Sequence, residues 1–378
     1  MSDIFERGDC FDCIVVGAGP AGGAAAYHLA KRGRSVLVLD RDVLPRYKAC
    51  SGGVSPAIAQ WFDFDFSPVI AAKVNQIRYT WKTGDPVEAN LDTPEPMWMV
   101  DRAKFDHYLM QQAQQLGAKL SDNTAVQGIE FQGDHWQVNT SQGPLKATYL
   151  IAADGAEGPM AQWLGFTPHK PCIGAVMELP SSTGAQAQFD FGMLKNGFIW
   201  ALPKGDRWSI AAGNFRGGSD DLRKVLNEYV SKAGFNASQA TLHEHPMLLW
   251  DGDQQLHARN ALLAGEAAGL SDPFTAEGIR PALFSGMQAA IAINDALSGN
   301  PNALPNYSAN LQAEWGKDMA WAQKLAGLFY RAPGLGYKVG VKRPSATSKL
   351  LRIMCGELRY ADVAGYALKK LSGGLIRG

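Results

Sequence analysis

What this 378-residue chain lacks narrows the field first. Its 36 Lys and Arg are matched by 36 Asp and Glu, so no global charge recruits nucleic acid or a membrane surface. No apolar run approaches the roughly 18 residues that span a bilayer. Met1 to Asp12 carries Asp3, Glu6, Asp9 and Asp12 without an apolar core, so secretion is not expected. The five cysteines, Cys10, Cys13, Cys50, Cys172 and Cys355, are odd in number and show no metal-ligand spacing. A reduced, cytoplasmic setting fits them best. Repeats and low-complexity tracts are missing too, and the length suggests two or three structural units of ~150 residues.

What is present begins at Cys13. The apolar run Cys13-Ile14-Val15-Val16 enters Gly17-Ala18-Gly19-Pro20-Ala21-Gly22, a small-residue helix follows to Gly33, and Ser35-Val36-Leu37-Val38-Leu39 ends on Asp40. This order predicts strand, glycine turn, helix and strand, closed by an acid 18 residues after the last motif glycine. Gly17 permits the sharp turn, Gly19 lets backbone approach a pyrophosphate, and Gly22 lets helix and strand pack closely. The helix N-terminus offers N–H groups and partial positive charge to phosphates. Asp40 is placed to accept ribose hydroxyls. A dinucleotide site is the reading; an ordinary βαβ turn is the alternative.

Three later segments extend it. Asp101-Arg102-Ala103-Lys104-Phe105-Asp106 opens a helix with Asp101 as N-cap and an apolar stripe Phe105, Leu109, Ala113, Leu116. Thr148 to Ala153 reads as a buried strand ending in Asp154-Gly155. Ala261 onward reads as a strand entering Gly265-Glu266-Ala267-Ala268-Gly269, then Asp272-Pro273-Phe274-Thr275-Ala276-Glu277-Gly278. A long helix opens near Ile279, with Pro281 in its first turn. Glu266 suits ribityl or ribose hydroxyls, and the helix start suits a flavin edge that gains negative charge on reduction.

Together these segments resemble the FAD-dependent oxidoreductases of the para-hydroxybenzoate hydroxylase type fold, and among them the geranylgeranyl reductase family. Further residues carry the likeness over nearly the whole chain: Pro45-Arg46-Tyr47-Lys48-Ala49-Cys50-Ser51-Gly52-Gly53, Phe198-Ile199-Trp200-Ala201-Leu202-Pro203 with Gly213, Gly278-Ile279 with Ser285-Gly286, and the tail from Leu350 to Leu368. Ala49 stands for the usual proline, Ser51 for a glycine, Phe198 and Leu202 for Tyr and Phe, Glu266 for Asp, and Asp40 where Glu is frequent.

The resemblance implies an α/β protein: a Rossmann-like FAD-binding domain from residues 10–65, 97–160 and 255–300, an inserted antiparallel β-sheet substrate domain from 66–96 and 161–254, and a C-terminal helical region at 301–378. It implies FAD contacts at Gly17, Gly19, Ala21, Gly22, Asp40, Arg41, Cys50, Ser51, Gly52, Arg102, Val126, Asp154, Gly155, Glu266, Gly269, Pro273, Gly278 and Ile279. Phe198, Trp200, Leu202 and Pro203 become the substrate strand. The implied reaction is saturation of isoprenoid double bonds, with a flavin monooxygenase or halogenase as the alternative on the same scaffold. A flavin-containing assembly or redox-sensing protein without turnover is a competitor of another class.

The substrate side reads as strands. Ile77, Tyr79 and Trp81 alternate before the turn Thr83-Gly84-Asp85-Pro86. Phe189 and Phe191, a turn at Asn196-Gly197, Phe198, Trp200 and Leu202, a turn at Lys204-Gly205-Asp206, then Trp208, Ile210 and Ala212 predict an antiparallel meander with one aromatic face. That face is either ordinary core or the roof of a hydrocarbon site. Cys50, in a glycine-flanked loop, is the candidate catalytic residue as a proton donor or redox reporter, against a plain packing role.

Without a second dinucleotide fingerprint, the electron donor is left between NADPH and reduced ferredoxin. From Arg331 onward there are ten basic residues and only Glu357 and Asp362 as acids. This tail is either a helical cap with a solvated basic face or a peripheral contact with an anionic membrane. The expected partners are thus a hydrophobic isoprenoid, an electron-donor protein and a membrane surface, with no nucleic acid.

Overall fold

The computed structural model describes residues 10–167, 169–180, 186–218, 220–252 and 255–364. Lys369, Lys370 and Arg377 of the basic tail lie outside the described residues. The fold is mixed α/β, built on two large sheets and a small one.

The first sheet is parallel at its centre because its strands are joined through long crossovers. Cys10–Val16 pairs in parallel with Val36–Leu39 and Gly143–Ala152. Lys119–Ser121 extends one side and Ala261–Leu263 the other, again in parallel. Val36–Leu39 is buried at every position, as suits a strand covered on both faces. Helix Pro20–Ala30 is likewise buried throughout. Helix Ile279–Leu297 meets it at Gly286, where a Cβ would lie 2.1 Å from the Ala21 carbonyl oxygen. The small residues of the first helix therefore serve close packing as well as the turn.

Helix Arg102–Gln115 is capped as the sequence implies, with the Asp101 carboxylate accepting the Ala103 N–H at 2.9 Å. Phe105, Leu109 and Ala113 form its buried stripe. Leu116, expected to continue that stripe, is 43% exposed, because the helix has ended and Gly117 at φ +101° turns the chain away.

The second sheet has seven strands, in the order Thr241–Met247, Cys172–Pro180, Arg207–Asn214, Gly197–Pro203, Ala187–Phe191, Gln76–Trp81, Gly84–Asn90. Its pairings are antiparallel except one: Ala187–Phe191 runs parallel to Gln76–Trp81, since the two strands come from different parts of the chain and no hairpin joins them. Two turns differ from the sequence reading. The first falls on Lys82 and Thr83, both at positive φ, and Gly84 already pairs with Trp81. Asn196-Gly197 is not a two-residue turn: Gly197 opens its strand, where a Cβ would lie 1.7 Å from the Gly213 carbonyl oxygen.

The register also replaces one aromatic face with two apolar ones. Trp208 and Ile210 pair with Pro203 and Ala201, and their face packs under helix Leu222–Lys232 through Leu226 and Tyr229. Phe189, Phe191, Phe198, Trp200 and Leu202 take the opposite face. There the C-terminal helices Lys317–Arg331 and Pro344–Met354 cover one end through Phe329, Tyr330 and Leu351. Among the described residues no helix is long and apolar enough to cross a membrane.

Candidate cofactor and substrate site

A cavity of about 710 Å³ lies where the parallel sheet, the loop 46–55 and the open end of the second sheet meet. Its first end is the glycine turn. Gly17 sits at φ +105°, and a Cβ there would meet the Ala153 carbonyl oxygen at 2.3 Å. Gly22 faces inward, where a Cβ would lie 1.8 Å from the Gly17 oxygen, so it shapes the turn and does not line the cavity. Gly19 opens onto the cavity, and the heavy atoms nearest its Cβ position are Nη2 of Arg102 at 3.9 Å and Nη2 of Arg46 at 4.0 Å. Ala21 lines the same wall. The helix that starts there has no side-chain cap and no acid in its first turn. Uncapped N–H groups and two guanidinium groups thus converge on one open backbone surface, which suits a pyrophosphate.

Asp106, 1% exposed, holds both arginines. It accepts from Arg102 Nε and Nη2 at 2.8 Å each and from Arg46 Nη1 at 3.1 Å. Burial opposes the charge on Arg102, but the Asp106 carboxylate outweighs it and the guanidinium pKa is raised. Asp40 accepts from the Ala18 N–H at 2.8 Å, the Asp42 N–H at 3.0 Å and Arg46 Nη2 at 3.2 Å. Arg41 stands on the exposed rim, 3.8 Å from both Asp42 and Glu157, and Val126 lines the adjoining wall.

Further along, Asp154 Oδ2 accepts the Met160 N–H at 2.9 Å, whereas Oδ1 is buried with no partner. Burial pushes this carboxyl up to about 6. An orphaned buried acceptor beside Gly155 fits a ligand hydroxyl. Glu266 Oε1 accepts the Leu248 N–H at 3.4 Å, and its Oε2 lies 3.7 Å from His245 Nε2. The ring of His245 is also 3.3 Å, through Nδ1, from Lys48, whose pKa is lowered by burial. Helix Ile279–Leu297 opens at Gly278 and lines the cavity with its N-terminus, where the Glu277 carboxylate accepts the Arg280 N–H at 3.1 Å. Gly269 and Pro273 stand behind this wall. Gly269 takes a left-handed conformation against the His169 ring. Pro273 is buried in a loop organised by Asp272, which accepts from Phe274 N at 2.7 Å, Thr275 N at 3.1 Å and the Tyr360 hydroxyl at 2.7 Å.

The second sheet supplies the far wall. Its register sets Phe189, Trp200, Ala211, Val176 and His243 in one row across five strands, all of them lining the cavity. Leu202 lines it too, while Phe198 and Pro203 do not. Phe198 is 5% exposed among the rings of Phe189, Phe191 and Phe215, at 5.9, 5.4 and 5.2 Å between centroids. Pro203 pairs with Trp208, on the helix-covered face.

Cys50, Ser51 and Gly52 line the cavity between these walls. The Trp200 indole N–H donates to the Ser51 hydroxyl, Lys204 Nζ donates to the Cys50 carbonyl, and Cys50 Sγ accepts the Gly52 N–H at 3.4 Å. Gly52 must be glycine: at φ +77° its Cβ would lie 2.0 Å from the Val100 carbonyl oxygen. Sequence reasoning gave no role to Arg46, Lys48, His245 or Lys204. Arg46 and Lys48 stand inside the segment that carried the resemblance, but Lys204 looked like a turn residue, and nothing local marks it as buried.

These residues fit FAD: the open glycine cradle with two arginines, the acid at the second strand end, and the orphaned Asp154 oxygen are spaced along one cavity. The model of the FAD binding domain matches residues 11–179. This part of the chain is an FAD binding domain. Its relatives include the digeranylgeranylglycerophospholipid reductase 2 of Methanopyrus kandleri, 26% identical over 84% of this chain and 86% of that one. The geranylgeranyl diphosphate reductase of Rhodobacter capsulatus is 28% identical over 85% of each. The same fold is found in a geranylgeranyl bacteriochlorophyll reductase-like protein from Thermoplasma acidophilum, with a TM-score of 0.78, 20% identity and 96% of both chains covered.

Proposed function

We propose that the protein saturates carbon–carbon double bonds of an isoprenoid chain. The observation that carries this reading is the continuity of one cavity, from the dinucleotide cradle at Gly19 to an apolar wall of Phe189, Trp200, Leu202, Val176 and Ala211. The activities for which the two relatives are named support it. Reduced FAD supplies the hydride when bound.

The chain's own residues do the rest. The row from Phe189 to Val176 presents hydrocarbon and aromatic surface, which holds an uncharged chain and excludes water. Exclusion matters because an isolated alkene accepts hydride poorly and must be held at reacting distance. A proton must reach the second carbon, and Cys50 Sγ, in the loop between the cradle and the apolar wall, is the group assigned to deliver it. The electron donor is NADPH or reduced ferredoxin, bound without a dinucleotide domain of its own. The basic C-terminal region is assigned to peripheral contact with an anionic membrane, from which a lipid substrate would be drawn.

The test is product mass analysis. Chemically reduced enzyme is incubated under argon with geranylgeranyl diphosphate in one series and an unsaturated archaeal-type ether lipid in another. A gain of two hydrogens per reduced bond in either series supports the reading. Product that forms only with oxygen present, and carries added oxygen or halide, would replace it with a monooxygenase or halogenase.

A further inference from the structure

We infer that Lys204 is a positioning residue for the Cys50 thiol, fixing the catalytic loop from the second sheet. The inference rests on the assignment of Cys50 as the proton-delivering group. Lysine in a Lys-Gly-Asp turn between two strands is ordinarily solvated. Lys204 is 6% exposed. Its backbone N–H closes the hairpin on the Arg207 carbonyl at 2.7 Å, while the side chain runs inward.

Burying an ammonium is costly unless it is paired and hydrogen-bonded. The carboxylate nearest Lys204 is Glu178, at 3.4 Å, and Glu178 is shared. It also accepts the Ser209 hydroxyl at 3.3 Å and lies 3.9 Å from Arg207 Nε. The ammonium therefore keeps N–H capacity beyond its ion pair, and this is directed at the Cys50 carbonyl oxygen. The stem contributes as well: a Cβ on Gly52 would lie 3.0 Å from Lys204 Cε, so lysine and the Val100 carbonyl enclose the loop from two sides.

The thiol's own partners are the Gly52 N–H at 3.4 Å and the Arg102 guanidinium. The loop that carries it is clamped from the second sheet, by Lys204 on the Cys50 carbonyl and by Trp200 on the Ser51 hydroxyl. Both clamps come from the strand end Trp200 to Lys204, which also presents Trp200 and Leu202 to the apolar cavity. The substrate wall and the loop that carries the thiol are thus one mechanical unit.

Site-resolved thiol alkylation tests this without relying on turnover. FAD-loaded wild type and Lys204→Met are treated with iodoacetamide, and the labelling rates of Cys50 and of exposed Cys10 are followed by peptide mass spectrometry. Loss of one charge-assisted hydrogen bond should free the loop and raise the Cys50 rate about tenfold. The Cys10 rate should not change. Equal Cys50 rates in the two folded proteins would overturn the inference. Should Lys204→Met fail to fold, Lys204→Gln, with a shorter stem and a weaker neutral donor, is read the same way: faster labelling at Cys50 alone supports the inference, and an unchanged rate overturns it. The two assignments fail separately. A Cys50→Ala variant that reduces alkenes at the wild-type rate would remove the proton-delivery role and leave the alkylation result standing.

Discussion

Arg46 lies between two buried carboxylates, with Nη2 3.2 Å from Asp40 Oδ2 and Nη1 3.1 Å from Asp106 Oδ2. The acid read as the ribose ligand and the arginines beside the glycine turn therefore belong to one network. Removing one partner of a buried pair costs ~3–5 kcal/mol when the other is left alone. Here Asp106 keeps both bonds from Arg102 and Asp40 keeps two backbone donors. Arg46→Met should accordingly lose only about 1–3 kcal/mol of stability in urea unfolding. Its FAD dissociation constant should rise by tenfold or more. Wild-type affinity in the folded variant would remove Arg46 from the cofactor site.

Trp200 and Phe198 are two residues apart on one strand face, yet only Trp200 lines the cavity. Phe198→Ala should behave as a core truncation and cost about 3–5 kcal/mol. Trp200→Ala should stay folded and FAD-loaded at a smaller cost, with an altered preference among isoprenoid chain lengths. Calorimetry and competition between substrates of different length read the two effects. The reverse pattern would place the substrate wall elsewhere.

This pair also shows how far the sequence could be read. The glycine turn, the Asp101 cap and the long helix after Gly278 were legible because each rests on local chemistry repeated over a few residues. Strand alternation set Phe198, Trp200 and Leu202 on one face, but it could not say that Trp208 and Ile210 take the opposite one, or that helices cover the Phe198 end while leaving Trp200 open. That depends on residues 317–354, far away in the chain. The parallel pairing of Ala187–Phe191 with Gln76–Trp81 is non-local in the same way. Lys204 was missed because burial of a turn lysine arises from the approach of a loop some 150 residues earlier, the Cys50 carbonyl.

Ala276 adopts φ +60° in the loop before the last cofactor helix. A left-handed conformation costs a Cβ-bearing residue roughly 1–2 kcal/mol, offset in part by the greater entropy glycine loses on folding. Ala276→Gly should therefore stabilise the protein by about 0.5–1 kcal/mol, read as a raised urea midpoint with an unchanged slope. A lowered midpoint would mean that the methyl group makes contacts worth more than the strain.

FAD affinity should depend on pH through Asp154. Burial raises its carboxyl to about 6, and its free Oδ1 is the acceptor offered to the ligand. Accepting a ligand hydroxyl favours the ionised form, so binding lowers the pKa and affinity should rise with pH through about 6. Fluorescence titration of the apoprotein at several pH values measures this. Asp154→Asn should bind FAD more weakly at pH 8 and lose most of the rise. An equal rise in the variant would assign it to another group.

In the proposed reaction, reducing equivalents pass from the cofactor site to an alkene on the apolar wall. Anaerobic stopped-flow spectroscopy tests it most directly: the enzyme is reduced with one equivalent of dithionite and mixed under argon with geranylgeranyl diphosphate or an unsaturated ether lipid. The oxidised-flavin absorbance should return with a rate that saturates in alkene concentration, in step with formation of the saturated bond, and should return much more slowly in Cys50→Ala. A flavin that stays reduced with every alkene until oxygen is admitted would contradict it.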